Sequence, residues 1–300
     1  MKKKLFVFLA AGLIVSVAAV AFAAPFMPPL GPLYIKFDNR EQLSISNAIK
    51  SPSDASEGNW GVFIVSTIAV GDLTGDAENF DAFSPPIWTD QTTDGGQITG
   101  IFGGIQVKEV GVGPDYINSV GGELWLYWDE PGLASGATME TLGTALPSDR
   151  TDDFQFTGYT DGTLLARLTF VPGAVVPDPE VTITGNSIPS APSFVGLADS
   201  YGNVADVDGD GLITSADGAW ATLLNGDYFT TLLGPNTADI KFRNIYQGPL
   251  NGWNDGTEIL GAQSSDPARA YAVPEPASLF LLGSGLAGLA GLVRRRKDAA

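Results

Sequence analysis

Three features of the sequence predict an all-β chain, an antiparallel, jelly-roll-like β-sandwich with one short helix. Short runs rich in β-branched and aromatic residues recur between Gly, Pro, Asp and Asn clusters. Helical periodicity is nearly absent, and 37 glycines punctuate the 300 residues. A cleaved N-terminal signal helix and a C-terminal transmembrane helix are expected to flank this fold.

The elements follow in chain order. Lys2, Lys3 and Lys4 precede an apolar run from Leu5 to Phe22 and small residues at Ala21 and Ala23. That is the layout of a secretory signal peptide cut after Ala23, which leaves 24–262 as the ectodomain. Strands are expected at Leu33–Phe37, Gly61–Val70, Gln97–Val110, Glu123–Trp128, Thr163–Phe170, Val181–Thr184 and Ala238–Tyr246. In the last, Ile240 and Phe242 alternate with Lys241 and Arg243, the period-two mark of a strand with one wet face. Tyr34–Asn39 and Asp239–Asn244 echo one another, but six residues make two similar strands and no repeat. Asp72, Thr74, Asp76, Glu78 and Asp81 form an acidic run with its glycine at Gly75, the wrong place for a metal loop, and read as a solvated loop. The proline-rich stretch Pro172–Pro192, around one short strand, reads as a domain linker or, preferred here, a covering loop with edge-strand character.

The sharpest internal motif is the twelve-residue stretch 206–217. Asp206, Asp208 and Asp210 stand at its first, third and fifth places, Gly211 at the sixth permits a sharp turn, Leu212 offers its carbonyl at the seventh, and Asp217 closes it. Thr214 completes the expected ligand set. Carboxylates converging on one point repel one another without a cation, so the pattern points to Ca2+. Ala216–Leu224 is expected to supply an exiting helix with Trp220 and Leu224 on one face, while Leu197–Val204 shows no entering helix. The loop therefore resembles a dockerin-type loop more than a two-helix EF-hand. Dockerins pair two such loops to grip a cohesin, and a single loop argues against that partner.

Residues 263–272, with Ser264, Ser265, Asp266 and Pro267, read as a polar linker to the last segment, 273–300. There Val273-Pro274-Glu275-Pro276 leads into an uncharged apolar run, 277–293, followed by Arg294, Arg295, Arg296 and Lys297. At 1.5 Å per residue the run spans about 25 Å, the short end of what crosses a bilayer, with the basic cluster left in the cytoplasm. Pro274 and Pro276 would hold an extended segment just outside the membrane, open to a processing enzyme.

This tail closely resembles the PEP-CTERM sorting module, a match confined to the end of the chain. The resemblance implies recognition of Pro274, Glu275 and Pro276 by an exosortase, a membrane transpeptidase-like enzyme of Gram-negative bacteria that also make exopolysaccharide. It implies a transient stay in the inner membrane, then release to the cell surface or extracellular matrix. The module also goes by the heading of an ice-binding protein C-terminal domain. Ice faces need regular flat threonine arrays, and the threonines here are scattered, so that function is not carried over.

Composition narrows the function further. With the two ends set aside, seven basic residues and the acids Glu275 and Asp298 drop from the totals of 16 and 34, which leaves nine basic against 32 acidic residues and a net charge near −23. Such a surface repels nucleic acid and attracts divalent cations. The chain contains no Cys and no His, which removes disulfides, thiolate nucleophiles, histidine bases and the zinc sites built on those ligands. Two carboxylates suffice for a glycosidase, and Glu123, Asp129 and Glu130 beside Trp125, Tyr127 and Trp128 are the loosest hint of a sugar-facing strand, although aromatic strands are mostly core. The expectation is thus a non-enzymatic, calcium-stabilised surface or matrix protein that associates with anionic exopolysaccharide. A secreted carbohydrate-active enzyme and a calcium-dependent protein-binding module are the alternatives.

Overall fold

The computed structural model describes residues 24–90, 96–129 and 142–274. The expected signal helix of 1–23 and transmembrane helix of 277–293 lie outside them. No helix among the described residues is long and apolar enough to cross a membrane.

Ten strands form one antiparallel sheet. They are β1 Gly31–Leu43, β2 Asn59–Gly71, β3 Ala82–Thr89, β4 Gln97–Gly111, β5 Tyr116–Asp129, β6 Thr163–Phe170, β7 Val181–Gly185, β8 Phe194–Val204, β9 Ile240–Gly248 and β10 Leu260–Ala272. Their order is β1-β10-β9-β8-β6-β5-β4-β2-β3, and β7 pairs with both β8 and β5 in line with β6. A further pairing of β1 with β2 closes the ladder on itself. The two layers of the sandwich therefore share their edges as a flattened barrel, and among the described residues every strand of this sheet but β3 has a neighbour on each side. Closure removes the exposed edges that invite aggregation. The all-β class is as the sequence predicts.

Alternation decides what faces inward. On β1, Leu33, Ile35, Asn39 and Glu41 are buried while the residues between them are wetter. Opposite them β10 presents Ala262, Ser264, Ala268 and Ala270, in register with Glu41, Asn39, Ile35 and Leu33. Strand β2 buries both of its faces. Phe63, Val65 and Ile68 enter the barrel, while Trp60, Val62 and Ile64 pack outward with Ile101 beneath Leu142, Ala145, Phe156, Tyr159 and Trp253. This explains why Gly61–Val65 is a continuous apolar run and not an alternating one.

The structure corrects several expectations. Residues 263–272 are no linker: they belong to β10, hydrogen-bonded to β1 on one side and β9 on the other. Pro267 is tolerated there because the β9–β10 ladder skips residues 243–245 opposite 265–267, so that ladder loses no donor. The stretch 172–192 does not give an edge strand, because β7 is paired on both sides. Strands β3 and β8 were not foreseen. The acidic run 72–81 is the exposed loop between β2 and β3, where Asp72 and Asp76 accept the amides of Thr74 and Glu78.

One buried acid carries a pH dependence. Asp129, only 3% exposed at the end of β5, accepts from Thr99 Oγ1 at 3.3 Å. Burial, reinforced by the charge of Asp161, lifts its pKa to about 6. The fold favours the neutral acid, so stability is greatest below the ordinary value near 3.8, falls as pH rises to about 6 and stays lower above it. Asp129→Asn is expected to be about 1–3 kcal/mol more stable than the parent at pH 8 and no more stable at pH 3, read by urea melts at the two pH values.

Candidate metal centre and sorting tail

Strand β8 runs straight into the loop 206–217, so a strand, not a helix, enters it. The loop is built by its own carboxylates. Asp206 accepts the amides of Gly209 at 2.6 Å and Gly211 at 2.7 Å, Asp208 accepts Asp210 N, and Asp210 accepts Leu212 N. Gly209 and Gly211 both lie at positive φ, 76° and 86°, which L side chains adopt at a cost. These turns gather Asp206, Asp208 and Asp210 so that one carboxylate oxygen from each lies within 4.8 Å of the others.

Of the six expected ligands, these three are brought together. Asp217 stands apart and does another job. Its carboxylate is fully buried and accepts Val207 N at 2.6 Å, Thr214 N at 2.7 Å and Asp208 N at 3.2 Å. Burial works to raise its pKa, and the three amides outweigh that and hold it below the usual carboxylate range. Asp217 thereby pins both ends of the loop from inside. Thr214 caps the turn that follows by accepting Ala216 N, and Leu212 is exposed.

The donor set suits a hard cation of the Ca2+ class, which takes six to eight oxygens, because the loop offers only oxygen donors: carboxylates, carbonyls and the hydroxyls of Thr214 and Ser215. Electrostatics agree. The Asp210 amide works to hold the Asp208 carboxyl down, yet desolvation and the charges of Asp210, Asp217 and Asp206 together raise it. A bound dication would relieve that repulsion.

The expected exiting helix is split. A 3-10 turn, Ser215–Asp217, and a single α-helical turn, α1 Ala221–Leu224, flank Gly218, whose φ of 140° interrupts the helix. A Cβ at Gly218 would sit 2.4 Å from Leu165 O, so the close approach to β6 requires glycine. Trp220 N and Ala219 N then donate to Leu165 O and Leu164 O on that strand. Trp220 and Leu224, both fully buried, plug this end of the barrel against Leu33, Trp88 and Leu165.

The same segment holds the first and last parts of the described domain. Trp220 Nε1 donates to Phe26 O at 2.7 Å, three residues past the expected cleavage point, and Val273 N donates to Leu223 O at 2.9 Å. Neither Phe26 nor Val273 carried a sequence signal for this, because main-chain carbonyls and amides are present at every position. Pro274 follows, exposed. Of the sorting residues Pro274 is thus described, whereas Glu275, Pro276, Arg294, Arg295 and Arg296 lie outside the described residues. Of the three acids weighed for catalysis, Glu123 is tied to Arg167 by hydrogen bonds of 2.9 and 2.7 Å, Asp129 is buried, and Glu130 lies outside the described residues.

Residues 272–297 match the PEP-CTERM protein-sorting motif. No match is found among curated proteins or among solved structures. The motif indicates an exported, exosortase-sorted chain that is anchored transiently in the membrane before reaching the cell surface. Its first residue, Ala272, is the last residue of β10, so the motif leaves the folded domain with no spacer.

Proposed function

We propose that this chain is a non-enzymatic surface or extracellular-matrix protein of a Gram-negative bacterium, stabilised by Ca2+ in the 206–217 loop and associated with anionic exopolysaccharide. The observation that carries the reading is the meeting of three carboxylates at the end of the barrel where Phe26 and Val273 are anchored. Calcium there would stiffen the loop, and through Asp217 and Trp220 the anchorage of Phe26 and Val273. Beyond the loop, the acidity of the chain, whose net charge between the two ends is near −23 with the loop included, lets further Ca2+ bridge protein and polysaccharide carboxylates.

The spacing of the tail bears on where the domain would sit at the membrane. Only Glu275 and Pro276 separate Pro274 from the apolar run at 277. At roughly 3.5 Å per residue the plugged end of the barrel then rests within about 10 Å of the bilayer until the tag is processed. The loop would meet the calcium and polysaccharide of the envelope at that stage.

Thermal melting under calcium titration tests the reading. At a free concentration 100-fold above Kd the expected stabilisation is about 2.7 kcal/mol, or roughly 5–10 °C for a domain of this size. Asp208→Ala should abolish the shift with little loss of basal stability, because the Asp208 carboxylate is exposed and, among the described residues, accepts only the neighbouring Asp210 amide. A parent protein whose midpoint ignores calcium would end the proposal. Incubation with exopolysaccharide separates the enzymatic alternative, which requires new reducing ends where the structural reading expects none.

A further inference from the structure

The barrel is filled at its plugged end and hollow towards the other. A cavity of about 130 Å3 lies between the layers, walled by Phe37, Phe63, Phe102, Ile105, Phe170 and Phe242. It is close in size to an engineered apolar cavity of about 150 Å3 that takes up benzene, and eight-position barrels commonly hold one small ligand in this place.

One wall departs from this apolar character. Glu41, 2% exposed, lines the cavity from β1. Its carboxylate accepts from Asn59 Nδ2 at 2.8 Å and Ser264 Oγ at 3.2 Å, both neutral groups, and among the described residues it makes no ion pair. Burial, against those two hydrogen bonds, lifts its pKa to about 7. The nearby Tyr246 phenol gives no help. It donates to Ser187 O at 2.6 Å and is itself pushed up to about 12 by burial and by the charge of Glu41. A buried carboxylate with only neutral partners lacks a counter-charge.

We propose that this cavity binds a small amine with an apolar body, its ammonium paired with Glu41 and its body seated among the phenylalanines. The chain's acidity concentrates cations near the surface. The skipped stretch of the β9–β10 ladder offers a way in, because Asn244 and Pro267 on either side of it also line the cavity. Neither the metal loop nor the sorting motif uses these residues.

The test uses the full chain in lipid nanodiscs, with 4-fluorobenzylamine and 4-fluorotoluene observed by 19F NMR against empty nanodiscs. Both probes are expected to give a bound signal with the parent protein. Glu41→Gln should weaken the amine at least tenfold and leave fluorotoluene unchanged. Equal amine affinity in parent and variant, or no bound signal from either probe, overturns the proposal. Should Glu41→Gln lose both probes, Ser200→Leu decides. Ser200 is buried against the cavity in register with Phe242, and the larger side chain fills the space while Glu41 stays in place. Loss of amine binding at an unchanged melting midpoint supports the site, and retained binding overturns it.

Discussion

Replacing Trp220 with alanine is expected to cost about 3–5 kcal/mol of stability, the range for deleting a large buried aromatic, and to lower the melting midpoint by roughly 6–20 °C. Three losses coincide at this side chain. The indole is fully buried in the main core, so its removal leaves a void that the plug must fill. Its edge-on contact with Phe26, ring centroids 6.5 Å apart, disappears. Its hydrogen bond to Phe26 O disappears too, which leaves the N-terminal segment without that anchor. Trp125 provides the comparison, because it faces outward and only partly buried, stacked on Phe154 at 5.6 Å. Trp125→Ala should therefore cost less than half as much. The measurement is thermal melting of both variants with calcium and with chelator. If calcium acts through the plug, as proposed, Trp220→Ala also shrinks the calcium-dependent shift while Trp125→Ala leaves it intact. Equal losses in the two variants would mean that the plug does not organise this end of the barrel.

Where the sequence was legible, the signal was hydrophobic contrast. Phe63, Val65 and Ile68, or Ile240 and Phe242, announce strands because apolar inward residues stand out against their neighbours. Strand β10 lacks that contrast. Its inward residues are Ala262, Ser264, Ala268 and Ala270, small enough for the layers to approach closely, and Asp266-Pro267 reads as a turn. Its buried Arg269 looks exposed in the sequence, yet it donates to Phe80 O at 2.6 Å. Strand β1 was cut short at Phe37 for a similar reason. Asp38-Asn39-Arg40-Glu41-Gln42 looks like solvent-facing chain, but the ladder continues to Leu43 and carries Asn39 and Glu41 indoors, where Ser264 on β10 meets both. The candidate metal loop shows the complementary case. Spacing placed Asp206, Asp208 and Asp210 together, as the structure does, because a turn of fixed length brings fixed positions together. The work of Asp217 depends on which amides converge on it, and spacing carries no information about that.

The second large effect is expected at Arg150. Its side chain is 3% exposed and meets Glu57, 4% exposed, through Nη1–Oε2 and Nη2–Oε1 distances of 2.6 and 3.1 Å. The guanidinium also lies 4.3 Å from the centre of the Trp60 ring and donates to Asp153 O. This one group joins the outer covering segment to β2 and, through Glu57, to Gly104 within β4, whose amide Glu57 also accepts. Arg150→Ala leaves Glu57 buried with that single amide, and stranding a buried charge in this way costs about 3–5 kcal/mol. Arg150→Lys should recover only part of the loss, since an ammonium can neither make the paired hydrogen bonds nor stack flat on Trp60. The double replacement Glu57→Gln with Arg150→Met should be less damaging than Arg150→Ala alone, because no unpaired charge remains. Denaturant midpoints of the three variants decide the matter. A double variant as unstable as Arg150→Ala would show that the pair is held by more than its charge. The expected order instead implies that the ion pair fixes where the cover sits, while Trp60, Val62, Ile64 and Ile101 beneath it supply most of the stability.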